Sequence, residues 1–288
     1  MAMLPNPLPR LTDDPSGAAL GLRLPPGRLV GDGDDGEHEP LLWQADAPAD
    51  AGSWARLAPA RAVGLLPLLL ECGEIPGLED VADWELDPGA MSYPGHHDAE
   101  EYLAGAWPPA VGEEGAADPG GDGAQGDAGL ADWAAPFGAD FPGLAPALLT
   151  AADAAAGRPD AVAAELAAAL TASGRLHDPR AALVYARRSA DIPAAIGWNG
   201  PANHVGDVAL LCAVLRSWED RFGLRVVALG FSTLVAALAA PPITVEEAEA
   251  VAAEHLAFCP DTVEQGPDTL RGYAKTLVGE RVWTFWWD

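Results

Sequence analysis

The chain is 288 residues long and carries 43 acidic against 16 basic side chains, a formal net charge of −27. A surface of that sign repels phosphate backbones, which nucleic-acid binding requires a protein to neutralise, and it repels anionic bilayers. Nucleic acid and membrane are therefore excluded as partners, and a basic protein is the charge-matched one.

The charge is unevenly spread. Residues 180–288 hold 13 acidic and 9 basic residues, and the remainder holds 30 and 7. From Ala62 to Gly157 there is no Lys or Arg against eighteen acidic residues. The three cysteines, Cys72, Cys212 and Cys259, are widely spaced. That spacing argues for a reducing compartment and against a disulfide scaffold or a cysteine zinc site. The start, Met1-Ala2-Met3-Leu4-Pro5-Asn6-Pro7, lacks the pattern of a signal peptide. The longest apolar run, around Ala62–Leu70, is far short of the ~20 residues that span a bilayer. A cytoplasmic protein is expected. At roughly 150 residues per domain, two domains are expected.

Residues 1–19 are Pro-rich and read as extended. Leu20–Leu24 and Arg28–Val30 flank the turn signal Pro25-Pro26-Gly27 and read as a hairpin. Gly31–Glu39 reads as an acidic loop and Leu41–Trp43 as a short strand. Gly64–Leu70 is apolar without a helical stripe. Pro67 would break a helix there, so it reads as a buried strand with the proline at an edge or bulge. Ala82–Leu86 reads as another strand and Asp98–Trp107 as a helix with acidic residues in its first turn. Residues 108–130 hold ten Gly or Pro in twenty-three positions and read as a flexible linker. Pro159–Ser173 is a helix with Val162, Leu166 and Leu170 in one stripe.

After residue 180 the elements alternate. Ala181–Arg187 is a strand, Asp191–Ile196 a helical turn and Asp207–Phe222 a helix closed by Gly223. Leu224–Gly230 and Leu234–Leu238 are strands. Thr244-Val245-Glu246-Glu247 is a capping box opening a helix to about Phe258. Pro267–Val278 is a helix and Val282–Trp287 a strand. The order β-α-β-β-α-β predicts an α+β fold: a small antiparallel C-terminal sheet with helices on one face. The expected segments are an acidic α+β region (1–107), a Gly/Pro/acidic linker (108–150), a connecting helix (151–179) and a C-terminal domain (180–288).

Four stretches of that last segment carry a family likeness. They are Asp191-Ile192-Pro193-Ala194-Ala195-Ile196-Gly197-Trp198-Asn199-Gly200, Leu215–Gly223, Ala253–Asp261 and the Trp283–Asp288 ending. In this order they resemble the bacterial family called domain of unknown function 4253 (DUF4253). Where other members read Cys-Pro after Trp-Asn, this chain has Gly200-Pro201, which removes a thiol from that loop. The Cys259-Pro260-Asp261-Thr262-Val263-Glu264-Gln265-Gly266 pattern is kept. The resemblance supports the domain boundary and brings no activity with it.

Two sets of residues are candidates for function. The first is polar: Asn199, Asn203, His204 and Asp207 before the long helix, and His255, Asp261 and Gln265 after the capped one. Asp207 equally reads as a helix cap, His255 as a core histidine, and Cys259-Pro260-Asp261 as a helix end with a buried thiol. Cys259 with His255 as its base is a further reading, since four positions on a helix share a face. His96-His97-Asp98 resembles the doublet of metal-dependent phosphohydrolases but lacks further ligands, and no metal or other cofactor is expected. The second set is aromatic: Trp198, Trp218, Trp283, Trp286 and Trp287. Alternation sends Trp283, Phe285 and Trp287 to one sheet face and Trp286 to the other. One of those faces is then either an exposed interface or covered by the N-terminal half.

The leading expectation is a non-catalytic intracellular binding module, with Trp286 as its best anchor. Its acidic half would attract a basic protein, as toxin-neutralising or accessory proteins do. The alternative is a hydrolase drawing on His204, Asp207, His255 and Asp261. Convergence of those side chains in one pocket separates the two.

Overall fold

The structure, a computed structural model, describes residues 5–31, 39–73, 75–108, 130, 133–267 and 269–288. The strands are β1 (Gly27–Val30), β2 (Leu42–Pro48), β3 (Leu65–Glu71), β4 (Pro179–Tyr185), β5 (Arg225–Leu229), β6 (Thr233–Ala237) and β7 (Val282–Trp286). The helices used below are α1 (Arg10–Asp13), α2 (Ser53–Leu57), α3 (Ala99–Gly105), α4 (Ala151–Ala155), α5 (Arg158–Ser173), α6 (Ile192–Ala195), α7 (Ala209–Phe222), α8 (Val245–Phe258), α9 (Pro260–Glu264) and α10 (Leu270–Leu277). None of the described helices is long and apolar enough to cross a membrane. Most of the expected linker, residues 109–129, lies outside the described residues, as does most of the acidic loop, 32–38.

All seven strands form one mixed sheet in the order β1-β2-β4-β3-β5-β6-β7. The fold is α+β, as expected. The sheet is not confined to the C-terminal segment, however. β3 lies between β4 and β5, antiparallel to the first and parallel to the second. Both faces of β3 are covered, and all seven of its residues are buried. That is why the run reads as continuously apolar rather than alternating. Pro67 therefore sits in a central strand, opposite Leu183, rather than at an edge. The ladder to β5 begins only at Leu69, so the proline falls where the strand is paired on one side.

Helices pack on both faces, not on one. α7, α8 and α10 cover the face that takes Leu66, Leu68, Leu70, Trp283 and Phe285. α5 and Trp54 of α2 cover the opposite face over Leu69, Val227 and Val235. Leu8, Leu11 and Leu57 complete that side over Trp43, Leu65 and Leu183. Local chemistry explains two other departures. Leu20–Leu24 forms no strand, and β1 pairs with β2 instead, Arg28 opposite Gln44. Val81–Trp84 is a short 3-10 helix rather than a strand, because the Asp80 carboxylate accepts the Ala82 N–H and caps it. Asp98 caps α3 in the same way through Glu100 N–H and Glu101 N–H. The Thr244–Glu247 capping box forms as expected.

The aromatic core is built on α7 and β7. Trp218 stacks on Phe285 with ring centroids 5.5 Å apart, and Trp283 and Phe258 meet it at an angle. Burying each such ring removes roughly 150–250 Å² from water, worth about 4–6 kcal/mol before entropy. Beneath them lies a buried ionic network that periodicity does not reveal. The Glu254 carboxylate, fully buried, accepts from Arg221 at 2.6 and 2.7 Å, from Trp218 Nε1 at 2.7 Å and from Ala145 N–H at 2.6 Å. It fastens the 141–149 segment to α7 and α8.

Candidate functional site

The alternation read from β7 holds. Trp283, Phe285 and Trp287 point into the core, while Val282 and Trp286 are half-buried on the other side and Thr284 is exposed. Trp218 and Trp198 are also buried, at 0% and 1% exposure. Trp198 donates its indole N–H to Gly230 O and Phe231 O. The second face is covered by α5 and Trp54 over β5 and β6 and as far as Val282 of β7, while beyond it Thr284 is exposed and Trp286 half-buried. Among the described residues the only exposed large aromatic side chain is Tyr93, at 41%.

The polar candidates do not gather in one place. His255 lies fully buried among Trp218, Trp283 and Phe285, with Nδ1 2.9 Å from the Tyr273 hydroxyl. Burial pushes its pKa down to about 3. Cys259 ends α8 with its thiol against Trp286 O and Thr262 Oγ1, and burial raises its pKa to about 11. The thiol's contacts run to Trp286 O and Thr262 Oγ1 rather than to His255, whose Nδ1 faces Tyr273 and whose Nε2 is buried without a hydrogen-bond partner among the described residues. His204 and Asp261 do meet, Nε2 to Oδ2 at 3.2 Å, and Asn203 and His204 both reach Asp288 O. Gln265 is exposed one turn on, its backbone N–H donating to Asp261 O at 3.3 Å. Asn199 donates to Glu85 O at 2.8 Å. Asp207 accepts the N–H of Ala209 and the N–H of Ser92. Burial opposes its ionisation, but the bonds from Ser92 and Ala209 outweigh it and hold the carboxyl below its ordinary value. Among the described residues no three His, Cys, Asp or Glu side chains gather as metal ligands.

Several of these bonds share one job: they hold the segment 85–97 against the C-terminal elements. Asp87 N–H donates to Gly197 O at 2.8 Å. Gly197 has φ +67°, and a Cβ there would come within 2.1 Å of Pro88 N, so only glycine lets the two backbones approach. Asn199 holds Glu85, and Asp207 holds Ser92. The Ser92 hydroxyl in turn contacts His97 Nε2 at 2.5 Å, and that same nitrogen lies 3.9 Å from Asp207. The carboxylate and the hydroxyl thus share one imidazole nitrogen, unlike a relay in which they occupy opposite ones.

The anchored segment closes a cleft of about 260 Å³ against the end of β4 and α6. Pro88, Met91, Pro94, Ala186, Ala194 and Ala195 supply apolar walls. Asp191 lies at the back, bound bidentately by Arg216 at 2.5 and 2.9 Å. The Arg216 guanidinium also sits over the Tyr93 ring, 5.0 Å from its centre, and Arg187 donates to the Tyr93 hydroxyl at 3.0 Å. Arg216 beside that hydroxyl holds the phenol below the ordinary tyrosine value. The bond from Asp191 raises Arg216 above the usual arginine value. Sequence reasoning missed Tyr93 and both arginines. The traceable signal was the Asp191–Gly200 motif, three of whose residues, Asp191, Gly197 and Asn199, turn out to build the cleft or anchor its wall.

The fold and this site define an α+β protein organised on one seven-stranded mixed sheet, with a composite cleft where a segment from the acidic half meets the C-terminal elements. Residues 180–288 match the model of the family described as a domain of unknown function (DUF4253), in agreement with the resemblance carried by the motifs. Neither the curated proteins nor the solved structures compared with the chain give a match.

Proposed function

We propose that the chain is a binding module that recognises a basic protein, with the cleft around Tyr93 as its contact site. One observation carries the reading. The motif residue Asp191 lines the cleft while Gly197, Asn199 and Arg216 hold the 85–97 segment that forms its other wall, whereas the candidate catalytic side chains disperse into caps, core partners and a separate surface pair. Tyr and Arg are the residue types enriched at binding hot spots, and Met is enriched across interfaces. Tyr93, Arg187 and Met91 sit together here. Glu85, Asp87, Asp98, Glu100 and Glu101 are exposed on the same segment and at the helix that follows it, and Asp83 on the turn before it. They add long-range attraction that falls with ionic strength.

The hydrolase reading finds less support. Of its candidates only Asp207 reaches the cleft wall, where its Oδ1 accepts the backbone amides of Ser92 and Ala209 and its Oδ2 lies 3.9 Å from His97 Nε2. The test is affinity capture with the full chain as bait, comparing the native protein with Tyr93→Ala and Trp286→Ala. A specific partner should be lost about tenfold or more with Tyr93→Ala, retained with Trp286→Ala, and weakened by added salt. A partner held equally by native protein and Tyr93→Ala would refute the assignment of the cleft.

A further inference from the structure

We infer that the corner where α8 begins and α10 ends is an interface between two copies of this chain. Among the described residues four large apolar side chains are exposed: Tyr93, Ile243, Val245 and Val278. Tyr93 belongs to the cleft described above. The other three share one corner, because Gly279 N–H donates to Pro242 O at 2.7 Å and ties the end of α10 to the start of α8. Ile243 directly precedes the N-cap Thr244. From that position an apolar side chain ordinarily folds back onto the fourth helical residue. That residue is Ala248, which is fully buried, yet Ile243 stands 73% exposed. An apolar cluster left in solvent in this way marks an interaction surface.

The shape of the corner fits a second copy. Ile243 stands on the rim of a hollow of about 550 Å³ whose other walls include Leu148 and Pro241. A two-fold interface brings one patch against itself, so it needs a protrusion and a recess on the same surface. A stable dimer buries roughly 800 Å² per partner, more than three side chains supply, so the walls of the hollow take part. The charges fit as well. Two chains at −27 repel where only acidic side chains face each other. The hollow carries two charges of each sign, Asp153 and Glu247 with Arg158 and Arg281. Arg158 is occupied by Asp153 at 3.9 Å, and Glu247 by the amides of Ile243 and Thr244. Arg281 is exposed and makes no ion pair among the described residues. Glu246 and Glu280 are exposed beside it on the same corner, so each copy offers a cation and carboxylates to the other. The corner shares no lining residue with the Tyr93 cleft, which stays open to its own partner in the dimer.

The experiment is sedimentation equilibrium of the full chain over a range of concentrations. The native protein should rise with concentration towards twice the mass of one chain. Ile243→Asp sets a charge in the other copy's hollow and should weaken association about tenfold or more. Its unfolding midpoint should match the native one, since the side chain it replaces is largely exposed. Arg281→Glu, a second variant, turns an attraction to Glu246 and Glu280 into a repulsion and should weaken association severalfold. Tyr93→Ala should associate like the native protein. The inference is overturned if the native chain keeps the mass of one copy at every concentration, if Ile243→Asp and Arg281→Glu both associate like the native protein, or if Tyr93→Ala abolishes the dimer.

Discussion

Lowering the pH from 7 to 5 should cost this fold about 2 kcal/mol through one side chain. His255 is fully buried, and burial holds its pKa down at about 3. In the unfolded chain the same imidazole titrates near 6.5. At pH 5 the unfolded state therefore binds a proton that the folded state refuses. Because the folded pKa is the lower one, the contribution is complete above about pH 6.5 and is lost as the pH falls from there towards about 3. At pH 5 the loss is about 1.36 kcal/mol for each of the 1.5 units below 6.5, or about 2 kcal/mol. Other groups move stability over the same range, above all the surface carboxylates, whose protonation relieves the repulsion of a chain at −27. The control is His255→Phe, which keeps a planar ring in the site and removes the titration. Urea unfolding followed by tryptophan fluorescence at pH 7 and pH 5 gives four stabilities. The native protein should lose about 2 kcal/mol more than the variant between the two, whatever the variant's absolute stability. Equal changes in both proteins would show that His255 is not held neutral, and the placement of α8 against β7 would have to be reconsidered.

Other perturbations test other parts of the structure. Glu254→Ala strands Arg221, whose side chain is 12% exposed, and should cost about 3–5 kcal/mol in chemical denaturation. Trp283→Ala should cost about 3–5 kcal/mol and Trp286→Ala about 1 kcal/mol, since only the first removes a fully packed ring. Gly197→Ala places a Cβ against Pro88 and forces a left-handed alanine, worth about 1–2 kcal/mol before the clash. Amide exchange should accelerate through residues 85–97 in that variant and stay unchanged in α10. Cys259, with a buried thiol at about 11, should resist iodoacetamide at pH 8 and react once urea unfolds the chain.

Local pattern carried much of this architecture. The 3.6-residue stripe of α7, the capping box of α8 and the strict alternation of β7 are each decided by neighbours close in sequence, and each was legible. What local pattern does not encode is which strand lies beside which. The apolar run at Leu65–Leu70 announced a buried strand, but its insertion between β4 and β5 depends on how distant segments meet. Ala82–Leu86 alternates like a strand, and one carboxylate, that of Asp80, caps a helical turn over Val81–Trp84 instead. Nothing local singles out Glu254, and only the arrival of Arg221 and Trp218 from α7 explains its burial. The cleft was hidden for the same reason. Tyr93 and Arg187 are 94 positions apart, and neither belongs to a motif by itself.

The place of β3 has a bearing on how the chain is made. Leu70 pairs with Arg180 on one side and Leu229 on the other, so both neighbours leave the ribosome after it. At ~5–20 residues per second, the nascent chain waits roughly 8 to 30 s between producing the strand and producing its second flank. Throughout that interval Leu65–Leu70 is an apolar segment without its native cover, the kind that a holding chaperone binds or a second nascent chain captures. The acid-rich, arginine-free stretch that begins just before it, at Ala62, is synthesised during the same interval, and its like charge opposes the approach of a second such chain. The charge of the N-terminal half then serves the chain before any partner is present.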